Sequence, residues 1–130
     1  MKFAKLAAAL TFAAVSAVAS TANAADLNPV GTWQSTTGES RFAVSYCGDG
    51  NQLCAKLTWL REDARTPENL AYLNKYVVQG AIETAANRWK GIVNYAGETV
   101  SGSVTLVSND ELKVSGCKGI ACQSLEFVRI

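Results

Sequence analysis

From Val30 onward, apolar and polar positions alternate in short runs separated by turn-forming residues. In Arg41–Tyr46, Phe42, Val44 and Tyr46 share one face and Arg41, Ala43 and Ser45 the other. Leu53–Leu60 repeats the pattern, with Leu53, Ala55, Leu57 and Trp59 opposite Cys54, Lys56 and Thr58. Arg88–Tyr95 gathers Trp89, Gly91, Val93 and Tyr95. Thr99–Val107 alternates most cleanly, Val100, Gly102, Val104 and Leu106 against Thr99, Ser101, Ser103 and Thr105. A period of two is the mark of a strand with one buried face.

Four further runs complete the set: Val30–Gln34, Tyr76–Glu83, Leu112–Gly116 and Ser124–Ile130. Tyr76–Glu83 alternates poorly and fits a strand or a short helix, and Gly80 there favours a strand with a bend. Thr36-Thr37-Gly38-Glu39, Gly48-Asp49-Gly50-Asn51, Ala85-Ala86-Asn87, Ala96-Gly97 and Ser108-Asn109-Asp110 supply the turns. Arg61–Lys75 breaks the rhythm. It is the longest connection, and Pro67-Glu68-Asn69-Leu70 within it can start a helical turn. Such a segment is either a plain crossover or the gate of a site. Short strands spaced by about ten residues predict an all-β antiparallel meander, and eight of them predict an up-and-down barrel wide enough for packed side chains or one small ligand. In a closed barrel the first and last strands are neighbours, so the Arg129 guanidinium is expected to stack on the Trp33 indole and plug one end.

The first 24 residues stand apart from this pattern. Lys2 and Lys5 precede an apolar, alanine-rich run from Leu6 to Val18, and Ala22-Asn23-Ala24 places small residues where a signal peptidase cuts. The run falls short of the roughly 20 apolar residues that cross a bilayer. Residues 1–24 therefore read as a cleaved signal peptide and residues 25–130 as a single domain, periplasmic or secreted, with no transmembrane segment after cleavage. Without Lys2 and Lys5, ten basic residues face eleven acidic ones. That balance leaves no electrostatic footprint for nucleic acid.

All four cysteines, Cys47, Cys54, Cys117 and Cys122, fall in the exported part. An even number in a small exported domain points to disulfides. Four cysteines allow three pairings, and the favoured one joins Cys47 to Cys54 and Cys117 to Cys122, each across a turn. Each short ring then contributes about 2–2.5 kcal/mol in the loop-entropy picture. A four-cysteine zinc site is the rival, but zinc knuckles space paired cysteines by two to four residues. Cys47 and Cys54 are further apart, and an oxidising compartment disfavours thiolate ligands. No metal and no cofactor is expected.

Gly31-Thr32-Trp33, the strand Cys54-Ala55-Lys56-Leu57-Thr58-Trp59-Leu60, Trp89-Lys90-Gly91-Ile92, the Cys117–Cys122 turn and the final Phe127-Val128-Arg129 occur in this order. Together they resemble a family of small exported bacterial proteins catalogued as a domain of unknown function, with a lipocalin-like barrel. The resemblance spans about Asn28 to Ile130. It implies a fold and no activity. The Gly-x-Trp start with a C-terminal arginine, here Gly31, Trp33 and Arg129, is similar to the lipocalin signature. Family members often carry a longer turn with a proline and an aromatic where this chain has Tyr95-Ala96-Gly97-Glu98-Thr99-Val100. A ligand bound beside that turn is then expected to differ.

Catalytic chemistry is sparse. The chain has no histidine, which removes the commonest general base and the usual triads. Paired cysteines leave no thiolate nucleophile. No spacing marks a serine–lysine pair, and the carboxylates of Glu62-Asp63 and Asp110-Glu111 lie in predicted turns, where carboxylates are ordinarily solvated. An enzyme is not expected. The aromatic residues carry more information, because Trp33, Phe42, Tyr46, Trp59, Trp89, Tyr95 and Phe127 fall mostly on the apolar parity of their strands. They either fill a small barrel or line a cavity for an apolar or amphipathic ligand, with Arg129 or a tyrosine hydroxyl fixing a polar head. The expected function is non-enzymatic binding of such a ligand. The alternative is an envelope interaction module with a filled core, acting on a protein partner through its surface and loops.

Overall fold

The computed structural model describes residues 27–95 and 97–130. The expected signal peptide lies outside the described residues. Eight antiparallel strands close into one barrel in sequence order: β1 (Gly31–Ser35), β2 (Ser40–Cys47), β3 (Gln52–Leu60), β4 (Tyr76–Ala85), β5 (Arg88–Tyr95), β6 (Glu98–Ser108), β7 (Glu111–Lys118) and β8 (Ala121–Arg129). The all-β, up-and-down barrel expected from the alternation is present. Both cysteine pairs are bonded as expected, Cys47 to Cys54 across the β2–β3 turn and Cys117 to Cys122 across the β7–β8 turn.

Closure runs through the shortest strand. Trp33 of β1 lies opposite Arg129 of β8, and Ser35 opposite Phe127. The Arg129 guanidinium carbon sits 4.4 Å from the centre of the Trp33 ring. Its Nε donates to the Asn109 carbonyl at 2.6 Å, Nη1 to the Val30 carbonyl at 2.8 Å, and Nη2 to the Asn28 carbonyl. Beneath it Trp33 is 0% exposed and donates its indole N–H to the Pro29 carbonyl at 2.9 Å. One planar cation thus ties the chain entering β1 and the β6–β7 turn to the end of β8. Gly31 makes room for it. Its φ is +148°, and a Cβ there would lie 2.5 Å from Arg129 Nη1.

The core runs from this closed end through the middle of the barrel and, on the β3 side, reaches Leu60 and Ala64 at the other end. Phe42, Leu53, Leu57, Leu60, Trp89 and Leu106 are among its buried members, with Trp33 and Phe127. Phe42 and Phe127 meet edge to face, ring centres 5.4 Å apart. Full burial of a large apolar side chain is worth about 1.5–3 kcal/mol.

Two strands depart from simple alternation. Between Arg41 and Phe42 the β2–β3 register shifts, so that Arg41 faces Trp59 while Phe42 faces Leu57. This bulge turns Trp59 to the outer surface and brings Leu60 inside. In β4, Gly80 adopts φ +75° where the pairing slips between Val78 and Ile82. That is the expected bend, and it accounts for the adjacent Val77 and Val78 both being buried.

A row of inward glycines crosses the opposite wall. Gly91 pairs with Gly102, and Gly102 pairs with Gly116. A Cβ on Gly102 would lie 2.7 Å from the Ser115 carbonyl oxygen, and one on Gly116 would lie 2.9 Å from Val100 Cγ2. Strands packed this tightly curl the sheet sharply. The result is a lopsided barrel: β1 spans 5 residues and β6 spans 11, so β5 to β8 overhang one end.

Candidate functional site

Antiparallel order places the β1–β2, β3–β4, β5–β6 and β7–β8 connections at the end opposite Arg129. That end is the mouth. The overhanging strands keep their alternation past the last turn of core, so inward positions there face open space. Val93, Val100, Val114 and Leu125 continue the inner face, followed by Glu98, Lys118 and Gln123 at the rim. These residues border a half-open cavity of about 520 Å³. Below it lies a second cavity of about 60 Å³, lined by apolar side chains alone, among them Trp33, Phe42, Val78, Leu112 and Phe127. Val93, Val114 and Leu125 line both, so the two adjoin. Leu125 is 49% exposed although it points inward. Pockets for small molecules ordinarily measure about 300–1,000 Å³ and are mostly apolar with a few polar groups. The upper cavity falls in that range; the lower one holds no more than the tip of a ligand.

Polar chemistry gathers at the rim. Lys118 Nζ lies 3.4 Å from Glu98 Oε1, and both side chains are more than half exposed. Thr99 donates its hydroxyl to Asn94 Oδ1 at 2.6 Å on the outer side of the same hairpin.

The long connection lies at the same end, between β3 and β4, and is bonded down at both of its ends. It holds a single 3₁₀ turn (Glu62–Ala64) and α1 (Pro67–Leu70), the helical turn expected at the proline. Thr66 caps α1 by accepting from the Asn69 amide, and Asn69 Nδ2 donates to the Ala64 carbonyl at 2.9 Å. The Arg61 amide donates to the Glu39 carbonyl at 2.8 Å, and Arg61 Nη1 donates to the Thr37 carbonyl at 3.0 Å. Arg61 also forks onto Asp63, Nε to Oδ1 at 2.6 Å and Nη2 to Oδ2 at 3.1 Å. That hydrogen-bonded ion pair lowers the Asp63 pKa below the ordinary carboxylate value and raises that of Arg61. At the other end the Asn74 amide donates to the Leu57 carbonyl, and Leu57 donates back to Lys75. Both ends of the segment are thus tied to strands, and none of its residues lines either cavity.

The eight expected ligand-lining residues divide by position. Trp33, Phe42 and Phe127 line the lower cavity. Trp89 is buried in the core, its indole Nε1 without a hydrogen-bond partner. Arg129 plugs the closed end rather than meeting a head group. Tyr46 has the inward parity expected but is 46% exposed, because β1 begins at Gly31, opposite Val44, and covers nothing beyond it. Trp59 is on the outer face, with the Arg41 guanidinium 4.3 Å above its ring; alternation misplaced it because the bulge is set by the partner strand. Tyr95 ends β5, and its side chain lies outside what the structure describes. Sequence reasoning missed Glu98, Lys118 and Gln123. Their inward parity was readable, but a polar residue near a turn looks solvated until the overhang is seen.

Among the described residues there is no cluster of metal-binding side chains and no helix long and apolar enough to cross a membrane. The model of a family described as an uncharacterized protein conserved in bacteria (DUF2147) matches residues 31–129, from the first residue of β1 to the last of β8. No curated protein and no solved structure matches the chain.

Proposed function

The chain belongs to that bacterial family, and within its barrel we propose an exported, non-enzymatic binding protein that takes one small apolar or amphipathic molecule through the mouth. The observation that carries this reading is the pair of adjoining cavities, about 60 Å³ deep in the barrel and about 520 Å³ at the mouth. Its gradient from wholly apolar to polar-rimmed matches a molecule with an apolar tail and a wet end. Export follows from the leader-like first 24 residues, and the paired cysteines agree with an oxidising compartment. The absence of histidine from the sequence and of free cysteine from the fold supports binding over catalysis.

Native mass spectrometry tests this on the mature protein, produced with its own leader and purified from the periplasm without detergent. A bound mass that survives gentle spraying and disappears on denaturation is expected, on a chain that begins at Ala25. Leu125→Trp, which fills the junction of the two cavities from a half-exposed position, is expected to abolish it. A bare wild-type chain that also shows no saturable binding of twelve-carbon amphiphiles overturns the proposal and leaves the surface of a filled barrel as the working part.

A further inference from the structure

Resting on that reading, we infer that the ligand's polar end is zwitterionic, its negative group seated by Lys118 and its positive group by Glu98. The lining of the larger cavity contributes one charge of each sign from adjacent strands, 3.4 Å apart, with Gln123 as its third polar side chain. The other lining residues are apolar or glycine. A head carrying a single negative charge that reaches Lys118 comes as close to Glu98, and repulsion offsets the attraction. A single positive charge meets the reverse arrangement. A wholly apolar ligand covers both side chains and strips their water without replacing it. A head with opposite charges a few bonds apart satisfies both groups at once.

Opening the Glu98–Lys118 pair to admit such a head costs little, because an exposed ion pair of this kind contributes almost nothing to stability. The deep cavity sets the other end of the molecule. With only about 60 Å³ between Phe42, Phe127 and Val78, it takes the tip of one chain, which makes a single-chain amphiphile the fitting class.

The test holds the tail constant and varies the head. Dodecylphosphocholine, dodecanoate and dodecyltrimethylammonium, each below its micellar concentration, are titrated by calorimetry into the mature, disulfide-intact protein. The zwitterion is expected to bind about tenfold or more tightly than either singly charged probe, a preference set by charge complementarity. Glu98→Gln should improve dodecanoate several-fold, and Lys118→Gln should do the same for the trimethylammonium probe, about the size of one screened charge pair. Both side chains are on the exposed rim, so the variants fold, which far-ultraviolet circular dichroism checks. Equal affinities for all three probes, unmoved by either substitution, overturn the head-group assignment and leave the cavity's role intact. Tightest binding by a singly charged probe also overturns it. Binding of none of the three overturns the head-group assignment, and together with a bare wild-type chain in native mass spectrometry it removes the proposed function as well.

Discussion

Replacing Arg129 with methionine keeps the stem that covers Trp33 and removes the planar cation. The loss includes stacking on the indole at 4.4 Å and three donors to the carbonyls of Asn109, Val30 and Asn28. An exposed cation–π contact is worth about 0.5–1 kcal/mol, and each of these solvent-exposed bonds contributes about 0.5–1 kcal/mol, within the range of an ordinary bond, because water screens the charge of the donor. Together they predict a destabilisation of about 3 kcal/mol, or roughly 10–20 °C in melting temperature for a domain of this size. Urea unfolding with the disulfides intact should show a lower midpoint and an unchanged slope. Arg129→Lys should recover less than half of the loss, since an ammonium keeps the charge and cannot reach three carbonyls in one plane. Gly31→Ala provides an independent check. Its methyl group collides with Nη1 at 2.5 Å, so its cost should shrink in the Arg129→Met background, leaving the residual strain of a non-glycine residue at φ +148°. Full stability in the lysine variant, or strict additivity of the glycine and arginine changes, refutes the view that the fork closes the barrel.

Trp33→Phe breaks the indole bond to Pro29 and orphans a buried carbonyl, whereas Trp89→Phe removes an N–H that has no partner; the first should cost at least about 1 kcal/mol more than the second in the same unfolding assay. Trp59→Ala should cost about 1 kcal/mol, the scale of an exposed cation–π contact, and a loss of the 3–5 kcal/mol typical of a core tryptophan would return that residue to the interior. Asp63 has a pKa depressed in the folded state by the Arg61 hydrogen bonds, so its contribution is present above the unfolded carboxylate pKa and is lost as pH falls through the lower folded value. The Arg61 amide donates to the Glu39 carbonyl; its protection factor, which is its exchange rate corrected for the intrinsic pH dependence, should fall on acidification in the wild type, and Asp63→Asn should remove that fall.

Much of the barrel was legible because alternation is a local property. Phe42, Val44, Leu53, Leu57, Val104 and Phe127 are inside where period two places them. The errors at Trp59 and Tyr46 have non-local causes. Trp59 is turned outward by a slip in pairing with β2, which neither glycine nor proline announces in its own strand. Tyr46 is uncovered because β1, a different strand, starts too late to reach it. The mouth was hidden for a related reason. Glu98 and Lys118 occupy inward positions, yet what makes them wall residues is the difference in length between β6 and β1, a comparison between segments far apart in the chain.

Both ends of the described chain leave the barrel beside Arg129, where the Ile130 amide donates to the Thr32 carbonyl and Leu27 packs against the core. The mouth is at the opposite pole. A fusion partner, affinity tag or surface tether joined at either end therefore presents the cavity outward, like a cup held by its base, and immobilised protein should keep its binding site unobstructed whichever end is used.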